Sequence, residues 1–170
     1  MLDIGCGDGT IASLIARQNP SVTIRGIEFA ARPGCLIECA PFDGKTIPHA
    51  SASFDVCMFV DVLHHAPDQQ GIATLLSEAC RVSRRFVLIK DHLSESLIDF
   101  KTLQVMDWVG NRPHGVVLPY NYQSHEKWNQ YFSQAGLTVQ SWNDRIPIYP
   151  FPFSALFGRR LHFVAMLEKR

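Results

Sequence analysis

The sequence predicts an α/β fold: a mostly parallel sheet covered by helices on both faces. Three observations predict it. Short apolar runs alternate with helix-period runs along the whole chain. Two of the runs, FDVCMFVDV (54–62) and RFVLIKDH (85–92), are apolar nearly throughout, as strands covered on both faces require. A glycine-rich turn joins the first apolar run to the first helical one, in LDIGCGDGT.

Taken in order, LDI (2–4) is the stub of a strand, and TIASLIARQ (10–18) is a helix with Ile11, Leu14 and Ile15 on one face. Asn19-Pro20 ends that helix. VTIRGIEF (22–29) reads as the second strand and CLIECA (35–40) as the third. The link between them is too short for a crossover helix. The fourth strand is 54–62, followed by a helix over 68–82 whose stripe is Ile72, Leu75, Leu76 and Ala79. The fifth strand is 85–92, and a helix over 95–110 stops at Gly110. Ser124 caps HEKWNQYFSQAG, which Gly136 closes. LTVQSW (137–142) and RLHFVAML (160–167) are the last two strands. The Pro- and aromatic-rich stretch between them (143–158) cannot be a crossover helix, so the last strand is expected to return antiparallel.

The 170 residues are expected to form one domain, 1–170, with a core that needs no staples. Acidic and basic residues balance at 16 each, so no net field draws the chain to nucleic acid or an anionic membrane. No apolar stretch reaches the roughly 18–20 residues of a membrane span, and no charged leader precedes an apolar core, so a cytoplasmic location is expected. The five cysteines, Cys6, Cys35, Cys39, Cys57 and Cys80, suit reduced, buried thiols. Cys35 and Cys39 are spaced C-x3-C with no second pair elsewhere, so no metal site is expected.

The glycine turn carries the functional argument. Bare backbone after a buried strand lets N–H groups approach a ligand, and a helix N-terminus stands behind it. The spacing is G-x-G-x-G rather than the dinucleotide G-x-G-x-x-G. Asp3, two residues before the turn, repels pyrophosphate but can receive an ammonium group. Both features argue against an NAD-dependent oxidoreductase. Glu28, at the end of the second strand, can hold two ribose hydroxyls. Asp43, past the third, can accept from an adenine amine while the Gly44 N–H meets a ring nitrogen. Three carboxylates on consecutive strand ends suit a sugar, an adenine and a cationic tail.

At LDIGCGDGT, GIEF, FDGKTIP, SFDVCMFVDVLHHAPD, LSEACRV, FVLIKDH, SHEKWNQYFSQAGL and LHFVAMLEK the chain resembles the class I S-adenosylmethionine-dependent methyltransferases, nearly end to end and in the family's order. The resemblance implies a Rossmann-like three-layer sandwich with a seven-stranded sheet of order 3-2-1-4-5-7-6 and an antiparallel last strand. It implies that Asp3, Gly5, Cys6, Gly7 and Gly9 surround the methionine half of S-adenosyl-L-methionine. Glu28 would take the ribose diol, Phe29 would lie beside the adenine, and Asp43 and Gly44 would read its edge. Val60 and Asp61 would lie near the sulfonium and amino group. Relatives of this kind carry helices before the first strand, whereas only Met1–Ile4 precede the turn here. A shortened N-terminus, a short first strand and an open groove above Gly5–Gly9 are therefore expected.

The cofactor carries the electrophile, so the protein aligns an acceptor and supplies a base. Two clusters at strand ends qualify: Asp61-x-x-His64-His65 and Lys90-Asp91-His92. His92 is the first candidate base and His65 the second, with Asp91 either orienting His92 or binding the acceptor. The aromatic stretch 106–122, with Trp108, His114, Tyr120 and Tyr122, is a candidate wall of the acceptor pocket. Tyr149, Phe151, Phe153 and Phe157 read as core packing or an apolar patch. The expected function is methyl transfer to a small organic acceptor. The alternative is a methyltransferase-like module that binds cofactor or partner without catalysis.

Overall fold

A computed structural model describes residues 1–29, 34–111, 118–147, 150, 154 and 160–170. The readings on His114, Tyr149, Phe151, Phe153 and Phe157 lie outside these residues. The chain runs β1 (Leu2–Ile4), α1 (Thr10–Gln18), β2 (Arg25–Glu28), β3 (Cys39–Pro41), β4 (Phe54–Val60), α2 (Gln69–Val82), β5 (Ser83–His92), α3 (Leu97–Asn111), α4 (His125–Gln134), β6 (Leu137–Asn143) and β7 (His162–Lys169), with one 3-10 turn at Leu63–His65. The strands form one seven-stranded sheet of order β3-β2-β1-β4-β5-β7-β6. β1 to β5 pair in parallel, and β7 is antiparallel to both β5 and β6. Order and direction are those expected of a Rossmann-like sandwich.

Two strands are shorter than their apolar runs, and the reason is pairing. On its β1 side β2 ladders against Leu2–Ile4 alone, so it begins at Arg25 rather than residue 22. β3 begins where Cys39 meets Gly26. Before that point the Leu36 N–H turns away and donates to Asp8 O at 2.9 Å, so residues 35–38 are loop rather than strand.

Alternation along β1 splits the two sides of the sheet. Leu2 and Ile4 face one core with Phe59, Leu76, Trp128, Phe132 and Phe163, under α2 and α4. α1 covers the other side, where Ala12 joins Ile24 and Met58. Its contact face is Ala12, Ile15 and Ala16, not the expected Ile11–Leu14–Ile15 stripe. Ile11 and Leu14 are 47% and 51% exposed, because two alanines let the helix axis lie closer to the sheet on a neighbouring face. α2 does bury Ile72, Leu75, Leu76 and Ala79, and its N-cap Asp68 accepts from Gly71 N at 2.8 Å. Ser124 caps α4 by accepting from Lys127 N at 3.3 Å. Among the described residues no helix is long and apolar enough to cross a membrane. The ends of β1, β2, β4 and β5 lie along one edge of the sheet, where the candidate residues gather.

Candidate active site

The turn after β1 is held over β2 by two N–H groups, Gly5 at 2.8 Å and Cys6 at 3.2 Å, both donating to Ile27 O. Gly5 has φ +76°, and a Cβ there would come within 2.7 Å of Val62. Gly7 has φ +59° and open space where a Cβ would stand. Its N–H donates to Glu28 Oε2 at 2.7 Å. Glycine is therefore required by sterics at the first position and by backbone conformation at both. Gly9 closes the turn as the left-handed N-cap of α1.

Asp3 points to the α1 side of the sheet, 3% exposed, and its Oδ1 has no hydrogen-bond partner. Burial, with the charge of Glu28 added, raises its carboxyl from 3.8 to about 7. Glu28 ends β2, and Phe29 beyond it is 73% exposed. Phe29 stands against Gly44, whose Cβ, if present, would lie 3.5 Å from its ring. Glu28, Phe29 and Gly44 thus stand together next to the turn. Asp43 sits there too, but its Oδ1 accepts from Lys45 N at 2.8 Å and Thr46 N at 2.7 Å. Those backbone donors hold its carboxyl below the ordinary value. Its first role is thus to shape the turn that presents Gly44.

Val60 ends β4, and Asp61 follows with φ +56°. Both Asp61 oxygens accept from Lys90 Nζ, at 2.6 and 2.5 Å. The carboxylate expected to meet a cofactor amino group is already balanced by a protein cation, which leaves Asp3 as the less compensated of the two.

At the ends of β4 and β5 a buried polar network forms. Asp91 is fully buried and accepts from Leu63 N at 2.9 Å, His92 N at 2.7 Å and His64 Nδ1 at 2.7 Å. Burial alone would raise its carboxyl, but the charge and hydrogen bond of His64 and the bond from His92 hold it well below 3.8. Burial likewise disfavours the charged His64 ring, yet Asp91, with Asp107 and Asp61 behind it, carries that ring above 6.5. Nδ1 of His92 lies 3.0 Å from Nδ1 of His64. Nε2 of His92 lies 3.9 Å from Asp107 Oδ1. Asp107 accepts from Tyr122 OH at 2.5 Å, and burial and this bond push the phenol upward. The His162 ring lies 4.7 Å from that of His92, tilted by 47°, and burial and the Lys90 charge lower it to about 3. Trp128 Nε1 donates to His92 O at 3.1 Å and anchors the strand end from below.

The structure brings together most of the predicted residues but redistributes their roles. Asp91 meets His92 at its backbone N–H and through His64, with the His92 ring nitrogen 3.5 Å from Oδ1. His65 is half-buried, whereas His64 and His92 are 2% and 6% exposed. His64 belongs to a candidate cluster but not to the candidate bases, and Asp107 and His162 are not marked by the sequence. A carboxylate inside the apolar run of α3 was the available signal for Asp107. Asp61, His64, Asp91 and His92 could also hold a metal by proximity, but the Lys90 cation and the three donors on Asp91 suit a proton network better.

A family model described as a methyltransferase domain matches residues 1–141. No curated protein sequence matches the chain. Among solved structures, a SAM-dependent methyltransferase from Methanosarcina mazei superposes with TM-score 0.71 at 15% identity, covering 99% of this chain and 91% of that one. An S-adenosylmethionine-dependent methyltransferase from Mesorhizobium loti gives 0.69 at 14%, with 99% and 89% covered. A magnesium protoporphyrin IX methyltransferase from Synechocystis, solved with SAH bound, gives 0.64 at 12%, with 99% and 73% covered. These likenesses carry the fold and the family match carries the membership: the chain belongs to the methyltransferase-domain family, on the class I S-adenosylmethionine-dependent methyltransferase fold.

Proposed function

We propose that residues 1–170 act as one domain that transfers the methyl group of S-adenosylmethionine to a small organic acceptor in the cytoplasm, without a nucleic acid partner. The observation that carries this reading is the pairing of a glycine turn with two carboxylates. Gly7 N–H is bonded to Glu28 at 2.7 Å, and beside them Asp3 Oδ1 is buried with no partner. An unsatisfied buried acceptor costs about 1–3 kcal/mol until a donor reaches it. A cationic ammonium group supplies that donor.

In this reading Glu28 holds the ribose diol, Phe29 flanks the adenine, and Gly44, presented by the Asp43 turn, meets its edge. Gly5, Cys6, Gly7 and Gly9 let backbone approach the methionine half, and Asp3 faces the ammonium group. Val60 and the Asp61–Lys90 pair close the end of β4. When bound, the cofactor supplies an activated methyl group, so the chain needs no electrophile of its own. The chain's task is to align the acceptor and take its proton. His65 is the more open of the candidate rings and is assigned the acceptor contact. His92 and Asp91 hold the proton network behind it, with Tyr120 and Tyr122 toward α3.

Calorimetry with S-adenosylmethionine, S-adenosylhomocysteine and NAD tests the cofactor. Tighter binding of NAD overturns the reading. Formation of S-adenosylhomocysteine in a mixture of small metabolites tests the transfer. Tight binding with no turnover on any acceptor overturns the enzyme in favour of a binding module.

A further inference from the structure

Outside the histidine network, the described residues bring together three cysteine sulfurs to which no role is given above. Cys6 stands in the glycine turn, Cys35 in the loop before β3, and Cys39 opens β3. These are distant in sequence, yet their sulfurs all lie within 4.8 Å of one another. The Cys6 and Cys39 sulfurs are 3.4 Å apart. The C-x3-C pair has no second pair along the chain, but the turn after β1 delivers a third sulfur to it. Cys57 and Cys80 are buried elsewhere in the core.

The cluster is held by backbone and not by chance side-chain collapse. Cys6 N–H is fixed on Ile27 O, Leu36 N–H on Asp8 O at 2.9 Å, and Gly26 N–H on Glu38 O at 2.8 Å. Two glycines make room for the sulfurs. A Cβ at Gly26 would overlap the Cys6 sulfur, and one at Gly9 would sit 3.0 Å from that of Cys35. All three cysteines are half-buried, so an ion can reach them from solvent.

We propose that Cys6, Cys35 and Cys39 bind one thiophilic metal ion of the Zn²⁺ or Cu⁺ class, at the base of the glycine turn. Metal–sulfur bonds of about 2.3 Å at tetrahedral angles separate sulfurs by about 3.8 Å. The observed spacings reach that with shifts of about 1 Å or less. Three thiolates select soft ions over Mg²⁺ or Ca²⁺. Loading breaks three S–H bonds and forms three S–metal bonds. The three protons go to solvent, and no oxidation state changes. Glu28 nearby adds negative charge, which favours the dication, with its fourth position open to water.

The test titrates the reduced, full chain with Zn²⁺ and, separately, Cu⁺ under anaerobic conditions, each in competition with a chromophoric chelator. One ion per chain is expected. Cys6→Ser, Cys35→Ser and Cys39→Ser should each weaken binding at least about 100-fold, whereas Cys57→Ser should not. The ion held more tightly identifies the occupant. A second measurement needs no variant: alkylation of the wild-type chain, read by mass spectrometry, should show Cys6, Cys35 and Cys39 protected together on loading. Failure to retain either ion, protection of fewer than all three, or equal affinity in the serine variants overturns the site.

Discussion

Asp3 offers the sharpest test of the site, because its titration separates the folded chain from the unfolded one. Its carboxyl ionises near 3.8 when exposed and at about 7 in the fold, through burial first and the Glu28 charge second. Between these values the folded chain keeps a proton that the unfolded chain has released. Stability from this group is therefore fully present below about pH 4 and is lost as pH rises through about 7. The full loss is about 3 pKa units at about 1.4 kcal/mol each, or about 4 kcal/mol. Roughly half of it has occurred by about pH 5.5. Asp3→Asn keeps the shape and does not titrate. The stability of the variant relative to the wild type should rise by about 2 kcal/mol between about pH 5.5 and about pH 8. Urea unfolding followed by tryptophan fluorescence at both pH values reads this directly, since all other titrating groups are shared. Bound S-adenosylmethionine should reverse the advantage, because its ammonium group stabilises the ionised Asp3. Wild-type affinity should therefore climb with pH up to about 7 and be flat in Asp3→Asn. A stability gap independent of pH would refute the raised carboxyl, and a parallel pH dependence of affinity would remove Asp3 from the ammonium group.

Other outcomes follow from the same geometry. Glu28→Lys removes the acceptor of Gly7 N–H and places a cation at the ribose, so calorimetry should show S-adenosylhomocysteine binding weakened by about 2–4 kcal/mol. His65→Ala should cut turnover about 10²–10⁴-fold with cofactor affinity unchanged, and a wild-type rate would move the base elsewhere. His92→Ala should do the same if His92 receives the proton itself, but lower stability with a smaller rate loss if it only supports the network. Asp91→Ala strands the His64 cation and two buried N–H groups, and denaturant unfolding should register a loss of about 3–5 kcal/mol. Gly5→Ala forces a side chain into φ +76° and against Val62. Thermal or urea unfolding should show it destabilised by about 2 kcal/mol or more.

Much of the fold was legible because its signals are local. The continuous apolar runs of β4 and β5, the stripe of α2 and the caps at Asp68 and Ser124 each depend on neighbours within a few residues. The glycine turn was legible for the same reason: left-handed backbone and close approach need glycine wherever they occur. What misled was long-range pairing. The apolar stretch 35–40 looks like a strand, but only Cys39 and Ala40 of it are in register with β2, with Glu38 O accepting from Gly26 N at the ladder's start. On α1 the periodicity admits two adjacent faces, and only the packed sheet selects the one with the small residues.

For the site the division is the same. Residue order alone determined which groups stand at the strand ends: Asp3, Glu28, Asp61 and Asp91 each follow or end an apolar run. It could not determine which charges are already compensated. Lys90 neutralises Asp61 because β4 and β5 are adjacent and in register there, whereas Asp3 Oδ1 is left without a donor because β1 buries it between neighbours. It could not separate His64 from His65 either, since a one-residue step on a 3-10 turn decides which ring reaches Asp91. Nor could it gather Cys6 with Cys35 and Cys39, or Asp107 with Tyr122. Those meetings depend on crossovers of many residues, and the energy of a contact is set by where the chain returns, not by the spacing along it.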